Sequence, residues 1–175
     1  GAGEPERVHA AQISQRTLHA LGVAPMLGRD FLPEEEVPGN NDVAIVGYAF
    51  WQRHFAGDPS VIGRRIEVAG AQKVVIGVMP RDFRMPLDYD ERGATELLTP
   101  LAATDSEFGA IPGPAVAPNG GSHGLYAVAH LAPGVTIEQA NQEMRRVTER
   151  LTDEGVYTGP TRFRMTAVPL MELRG

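Results

Sequence analysis

The chain has 175 residues, no cysteine and a formal net charge of −6 at pH 7, with 42% hydrophobic and 22% charged residues. A chain of this length can bury a core as one domain or as two small lobes. The negative charge argues against a nucleic-acid-binding protein, which needs a concentrated positive surface. The lack of cysteine excludes disulfides and thiolate zinc sites, and no apolar run approaches the roughly 18 residues that span a bilayer.

The first third of the sequence predicts two strands with a short helix between them. Residues 7–13 form the first candidate strand, and Ser14 is a typical N-cap for a helix that Gly22 ends. Residues 34–36 are all Glu and precede a Pro-Gly-Asn-Asn run, so we predict an exposed loop with solvated charges. The apolar residues 43–46 are typical of a buried strand.

Three aromatic residues follow at helical spacing. Tyr48, Trp51 and Phe55 are three and four residues apart, so one face of a short helix carries all three rings. Such a stripe belongs more often to a core than to a ligand site, and we predict that Trp51 and Phe55 are buried. The run Gly57-Asp58-Pro59 then ends the helix.

A hairpin and a long connection come next. Residues 65–69 alternate polar and apolar side chains, Gly70 marks a turn and residues 73–79 return, which predicts a hairpin. Residues 81–124 are rich in Pro and Gly, and within them only residues 96–101 are typical of a strand. We therefore expect a long connection through most of this segment.

The last third predicts a strand, a helix and a second strand. Residues 125–131 form the first strand, and Thr136 with Gln139 matches a capping box at the helix start. The apolar face of the helix recurs every three or four residues, at Ile137, Ala140, Met144, Val147 and Leu151. Residues 162–168 alternate as a half-buried strand does, so the three elements form a βαβ unit, right-handed if its strands are parallel.

One pattern resembles a catalytic motif. Residues 120–124 read GGSHG and match the G-x-S-x-G pattern that carries a nucleophilic serine, here Ser122. That motif requires a strand before the serine and a helix after it. Here Pro118 and Asn119 precede the motif and a strand-like run follows, so we favour a loop over a catalytic turn.

Metal and cofactor patterns fail on their spacing. Asp88, Asp90 and Gly93 resemble the start of a calcium-binding loop, but Arg92 and Thr99 stand where that loop needs an oxygen ligand and a glutamate. The five histidines lack zinc-site spacing, and there is no phosphate-binding loop. The sequence therefore predicts no catalytic residue, no metal site and no cofactor.

Several short motifs rich in Gly, Pro and aromatic residues follow one another in a specific order. They are Ser14, Leu21-Gly22-Val23, Gly28-Arg29-Asp30-Phe31, Val43 to Val46, Trp51, Gly57-Asp58-Pro59, Ile62-Gly63-Arg64, Gly77-Val78-Met79-Pro80, His130-Leu131-Ala132-Pro133-Gly134-Val135-Thr136 and Gln139-Ala140. Over roughly residues 8–170, this ordered set resembles the MacB-like periplasmic core domain of ABC-transporter permeases, most of all those with FtsX-like transmembrane regions.

The resemblance implies an α+β fold with two lobes. A porter-like lobe, which contains the βαβ unit, would consist of residues 1–29 and 121–175. A strand-rich, sabre-like lobe of residues 30–120 would be inserted between these two segments.

The same resemblance implies how the strands pair. Residues 7–13, 125–131 and 162–168 would share one sheet, with the helix packed on it. The hairpin of residues 65–79 would belong to the other lobe.

The motif residues themselves would be structural rather than catalytic. They are Gly28, Arg29, Phe31, Trp51, Gly57, Asp58, Pro59, Gly63, Gly77, Pro80, Pro133 and Gly134. Of these, Gly28, Gly63 and Gly77 are most simply explained by a positive φ angle or by a close approach of two backbones.

The function that the resemblance implies is mechanical. The chain would be the periplasmic domain of an inner-membrane ABC permease, without enzyme activity, that couples transmembrane movement to export or release of a substrate. Its partners would be its own transmembrane helices, absent from these 175 residues, a cytoplasmic ABC ATPase, a periplasmic adaptor or lipoprotein, and a second copy in a dimer. Two alternatives stay open: a module that captures a lipid, peptide or drug between the lobes, and a serine hydrolase that uses Ser122.

Overall fold

The structure is a computed structural model, and it describes residues 6–86, 88, 94–102, 127–155 and 165–170. The chain divides into two compact units, residues 1–103 and residues 104–175. The described chain contains both strands and helices, which confirms the predicted α+β class. None of the described helices is long and apolar enough to cross a membrane.

A six-stranded mixed sheet forms the first unit. Its strands are β1 (Ala10–Ile13), β2 (Leu27–Gly28), β3 (Val43–Val46), β4 (Arg65–Val68), β5 (Ala71–Val78) and β6 (Leu97–Pro100). Their order is β1-β6-β3-β5-β2, and β4 pairs with β5 beside this row. The β1–β6 and β3–β5 pairs are parallel, whereas the β2–β5, β3–β6 and β4–β5 pairs are antiparallel. The predicted hairpin and the predicted strands at 43–46 and 96–101 are thereby confirmed.

The central strands of the sheet are buried on both faces. The neighbouring residues Ile45 and Val46 of β3 lie in two different apolar clusters, because successive side chains of a strand point to opposite faces. Helix α1 (Thr17–Ala20) contributes Leu18 to one cluster, and helix α2 (Tyr48–Phe55) contributes Phe50 and Trp51 to the other. A strand covered on both sides has no polar face, which explains the continuous apolar run of β3.

The aromatic stripe of α2 packs on the core, which confirms the predicted burial of Trp51 but not that of Phe55. Trp51 is 7% exposed and belongs to the core, whereas Phe55 is half-buried. The helix ends at Ala56, whose left-handed conformation (φ 50°) is followed by Gly57 at φ 71°.

The start of α1 differs from the prediction. Its N-cap is Arg16, so the assignment of Ser14 as the N-cap is wrong. The Ser14 carbonyl accepts the Thr17 N–H at 2.9 Å, and the two hydroxyl groups lie 3.0 Å apart. Ser14 therefore forms the turn of residues 14–17 that leads into the helix, and it does not cap the helix.

The pairing of β1 also differs from the prediction. β1 pairs with β6 and lies in the same sheet as the hairpin of residues 65–79. The prediction that β1 and the hairpin lie in different sheets is therefore wrong. The reason is physical: a parallel ladder joins segments far apart in the chain, and no local pattern specifies the partner. The lobe boundaries at residues 29/30 and 120/121 stay a prediction.

The second unit contains one described helix, α3 (Ile137–Asp153). The predicted capping box is confirmed: the Gln139 side chain accepts the Thr136 N–H at 2.9 Å, and the Thr136 hydroxyl accepts the Gln139 N–H at 3.3 Å. The predicted apolar positions of the helix are half-buried. Residues 127–131 and 165–168 were expected in strands; neither segment forms a ladder with any described residue, and the remainder of both lies outside the described chain.

Candidate functional site

Two motif glycines face each other where β2 lies beside β5. Gly28 pairs with Gly77 in the antiparallel ladder, and Gly28 has a φ of +77°. A Cβ atom on Gly28 would collide with the carbonyl oxygen of Ile76, and one on Gly77 would lie 2.7 Å from the carbonyl oxygen of Arg29. The two backbones therefore approach more closely than any other residue pair would allow.

An ion pair closes the loop that follows β2. The Arg29 guanidinium donates to both oxygens of Glu35, at 2.7 and 3.0 Å, and the Leu32 N–H donates to the same carboxylate at 2.8 Å. A bidentate pair of this kind is strong and directional. Phe31, the remaining motif residue of this loop, lies between Arg29 and Glu35 in the sequence, and its side chain is buried in the core.

The environment of Glu35 corrects the sequence analysis. The Glu run was predicted as a solvated loop, yet Glu35 is 7% exposed and Glu36 accepts the Gln15 N–H at 2.7 Å. Burial alone would raise the pKa of Glu35, but the hydrogen bonds from Arg29 and Leu32, with the Arg29 charge, outweigh it and lower that pKa. A carboxylate whose counter-ion lies six residues earlier in a loop follows no helical or strand periodicity, so no pattern in the sequence predicts this pair.

The Gly57-Asp58-Pro59 turn is bound to α2 through Trp51. The indole Nε1–H donates to the Asp58 carbonyl at 2.9 Å. The Asp58 carboxylate accepts the Ser60 N–H at 2.8 Å and pairs with Arg64 at 2.9 Å, at the start of the 3₁₀ turn Pro59–Val61. The motif thus joins the end of α2 to the strand that follows.

Two further motif positions lie at the ends of strands. Gly63 has a φ of +88° with open space around it, and its N–H donates to the Val75 carbonyl at 2.8 Å. Pro80 lies two residues after the end of β5, and the N–H of the intervening Met79 donates to the Val46 carbonyl at 2.8 Å. The prediction that the motif glycines serve a positive φ or a close approach is confirmed at all three positions.

The last motif lies in the second unit. Pro133 and Gly134 form the turn before α3, where Gly134 has a φ of +80° and the Val135 N–H donates to the Ala132 carbonyl at 3.0 Å. This turn leads into the capping box of the helix.

Of the residues in the calcium-loop and serine patterns, Asp88 forms structural hydrogen bonds and several others lie outside the described residues. Asp88 accepts the Met85 N–H at 2.8 Å and the Thr95 hydroxyl at 2.6 Å. Asp90 and Ser122 lie outside the described residues, as do Arg92, Gly93 and His123, so the rejection of a calcium loop and of a catalytic serine stays a prediction. Within the described ranges, no three His, Asp or Glu side chains are grouped to hold a metal ion.

A cavity of about 870 Å³ lies in the first unit, beside the start of α2. Its lining combines aromatic residues, including Tyr48 and Phe83, with the basic residues Arg81 and Arg84. It also contains the ion pair of Arg53 with Glu96, at 2.8 Å, which adds further charge to the lining. The ligand-capture alternative requires a large apolar pocket between the lobes, so this cavity within the first unit does not test it.

Two solved structures resemble this fold. The periplasmic region of MacB from Actinobacillus actinomycetemcomitans has a TM-score of 0.50 at 16% identity, covering 84% of this chain and 56% of that one. The extracellular domain of the ABC-type transporter YknZ from Gram-positive bacteria has a TM-score of 0.42 at 19% identity, covering 57% of this chain and 46% of that one. This chain thus spans about half the length of each structure.

The family comparison covers most of the sequence. No curated protein matches the chain. The model of the MacB-like periplasmic core domain matches residues 3–147, well over half of the 175 residues. The chain therefore belongs to the family of MacB-like periplasmic core domains.

Proposed function

We propose that this chain is the extracytoplasmic domain of an ABC-transporter permease and that it couples movement of the transmembrane helices to export or release of a substrate. The family match over residues 3–147 carries this proposal. The similar structures are described as a periplasmic region of MacB and an extracellular domain of the transporter YknZ, and both descriptions agree with an extracytoplasmic location.

A domain that passes on movement must resist bending. In the first unit, the central strands of the sheet are buried on both faces, and β2 meets β5 through two glycines at close approach. The Arg29–Glu35 pair closes the adjoining loop. Dense packing transmits displacement because interiors have low compressibility, so this construction supports a mechanical role.

The proposal includes the partners and the location. The domain lies on the periplasmic side of the inner membrane, attached to its own transmembrane helices, and a cytoplasmic ABC ATPase supplies the energy. Two copies form the working transporter, and a periplasmic adaptor or lipoprotein binds on the outer side. The substrate enters the proposal only as the cargo that this assembly exports or releases.

The test measures distance in the intact permease, reconstituted with its ATPase. These 175 residues contain no cysteine, so once any cysteine elsewhere in the permease is replaced, spin labels can be attached at Gln72→Cys in the first unit and Arg145→Cys in the second, both at exposed positions. We expect the distance distribution to differ between the nucleotide-free and the ATP-trapped states. Identical distributions in both states would contradict the coupling.

A matched pair within the first unit serves as the control. Labels at Gln72→Cys and Gln52→Cys both lie on exposed positions of that unit. Their distance distribution should stay the same in all nucleotide states, since the sheet moves as one body. A change in this control pair together with the test pair would indicate deformation of the sheet rather than movement of units.

The absence of catalysis is part of the proposal and has its own test. A fluorophosphonate probe reacts with an activated serine, which needs a base within about 2.6–3.2 Å and oxyanion donors nearby. We expect no stoichiometric labelling of the chain. Labelling that disappears in Ser122→Ala would favour the hydrolase instead.

A further inference from the structure

The buried and half-buried band of α3 contains three polar residues among apolar ones: Asn141, Thr148 and Thr152, whose hydroxyl donates to the Thr148 carbonyl at 2.8 Å. Asn141 and Thr148 are seven residues apart, on the same face of the helix as Met144. The Thr148 hydroxyl, in a side chain only 5% exposed, donates to the Met144 carbonyl of its own helix at 2.7 Å. Asn141, by contrast, forms its hydrogen bonds with a residue 26 positions away in sequence.

The Asn141 side chain binds one residue through two hydrogen bonds. Its Nδ2 donates to the Ala167 carbonyl at 2.9 Å, and its Oδ1 accepts the Ala167 N–H at 2.8 Å. One amide group therefore satisfies both backbone groups of Ala167, as a neighbouring strand would do. The segment 165–170 alternates half-buried and exposed residues, with Met165, Ala167 and Pro169 turned inward.

This contact specifies the register of the segment on the helix. A shift by one residue would turn every inward side chain of residues 165–170 outward, because the side chains of an extended chain alternate with a period of two. The amide must donate and accept at once. Asp would keep the acceptor but lose the donor, and Leu would lose both while nearly keeping the volume.

We propose that Asn141 is a positioning residue that fixes the register of residues 165–170 on α3, so that the helix and this segment move together. This inference rests on the proposed function for its use in coupling. The contact itself stands on the two hydrogen bonds and on the alternating burial of the segment. Its own test is therefore independent of transport.

The first experiment measures hydrogen exchange of the Ala167 amide by NMR in the 175-residue chain. Asn141→Leu removes both hydrogen bonds and their net contribution to stability, so it should speed this exchange by about tenfold or more. The neighbouring residue Gln142 is exposed, so Gln142→Leu is the matched control and should leave the exchange unchanged. Equal exchange in the unmodified chain and in Asn141→Leu would overturn the proposal.

Two measurements keep the test decisive if Asn141→Leu folds poorly. In the unmodified chain, a scalar coupling across the hydrogen bond should join the Asn141 side-chain nitrogen to the Ala167 carbonyl carbon, and its absence would overturn the proposal. Asn141→Asp keeps the acceptor for the Ala167 N–H, so its Ala167 exchange should lie between those of the unmodified chain and Asn141→Leu. An Asp variant as well protected as the unmodified chain would count against the need for a donor.

The second experiment tests the use of the contact in the intact permease. With labels at Gln72→Cys and Arg145→Cys, we expect Asn141→Leu to reduce the nucleotide-driven distance change, while Gln142→Leu leaves it unchanged. A full change in Asn141→Leu would overturn the transmission role. No change in the unmodified permease would instead contradict the proposed function, and the exchange experiment would still decide the register contact.

Discussion

Alanine substitutions at four glycines separate backbone strain from the close approach of β2 and β5. Gly63 and Gly39 have positive φ angles, +88° and +93°, and open space around them. Gly77 has an ordinary φ, but a Cβ there would lie 2.7 Å from a backbone oxygen. Gly28 combines both features, since its φ is +77° and its Cβ would collide with the Ile76 carbonyl.

The expected losses in the free energy of unfolding follow from these differences. Left-handed strain alone costs about 1–2 kcal/mol in Gly63→Ala and in the matched control Gly39→Ala. Overpacking alone costs about 1–3 kcal/mol in Gly77→Ala. Gly28→Ala carries both terms and should cost about 2–5 kcal/mol. The backbone atoms that it meets cannot rotate away, which favours the upper part of that range.

Urea unfolding followed by tryptophan fluorescence measures these losses directly. Trp51 is the single tryptophan of the chain and is 7% exposed in the first unit, so its emission reports the unfolding of that unit. The order of stability should be the unmodified chain, then Gly39→Ala with Gly63→Ala, then Gly28→Ala. A Gly28→Ala chain no less stable than Gly63→Ala would refute the close-approach argument, as would an undiminished stability of Gly77→Ala.

Two further predictions concern buried side chains of the first unit. Trp51→Ala removes a core side chain and its hydrogen bond to the Asp58 carbonyl, so it should cost about 3–5 kcal/mol and lower the melting temperature in circular dichroism; an unchanged melting temperature would contradict the core role. The folded-state pKa of Glu35 is lowered, so its stabilisation is complete above its unfolded-state pKa of about 4.3 and is lost as the pH falls through the folded-state value. Glu35→Gln should therefore weaken the fall in unfolding free energy from about pH 7 to about pH 3, and the same fall in both chains would argue against this role for the carboxylate.

Local patterns predicted the elements of the fold well. The hairpin of β4 and β5, the aromatic helix α2 and the capping box of α3 each depend on residues close together in sequence. Their signals are the alternation of polar and apolar side chains, apolar residues three and four positions apart, and turn residues, and each signal lies within about one element. The roles of Gly28, Gly63 and Gly77 were also predictable, because glycine accepts a positive φ or a close backbone approach at the lowest cost.

Contacts between distant segments were not predictable. The pairing of β1 with β6, the burial of Glu35 and the contact of Asn141 with Ala167 each join groups that no periodicity links. A Glu in a charge run is usually solvated, and the hydrogen bonds from Arg29 and from the Leu32 N–H offset the cost of burying Glu35. A single Asn within an amphipathic helix has no pattern that distinguishes a backbone-binding amide from an exposed one.

The two units therefore differ in how a mutation would act on them. In the first unit β5 pairs with three strands, and the turn at Gly63 also binds it through the Val75 carbonyl, so its geometry depends on many backbone contacts. A single side-chain substitution there should reduce stability before it changes the shape, because the ladder remains. Among the described residues of the second unit, the Asn141 amide binds the backbone of residues 165–170 to α3. If the domain transmits movement, substitutions that impair coupling at nearly normal stability should be found at Asn141 rather than along β5.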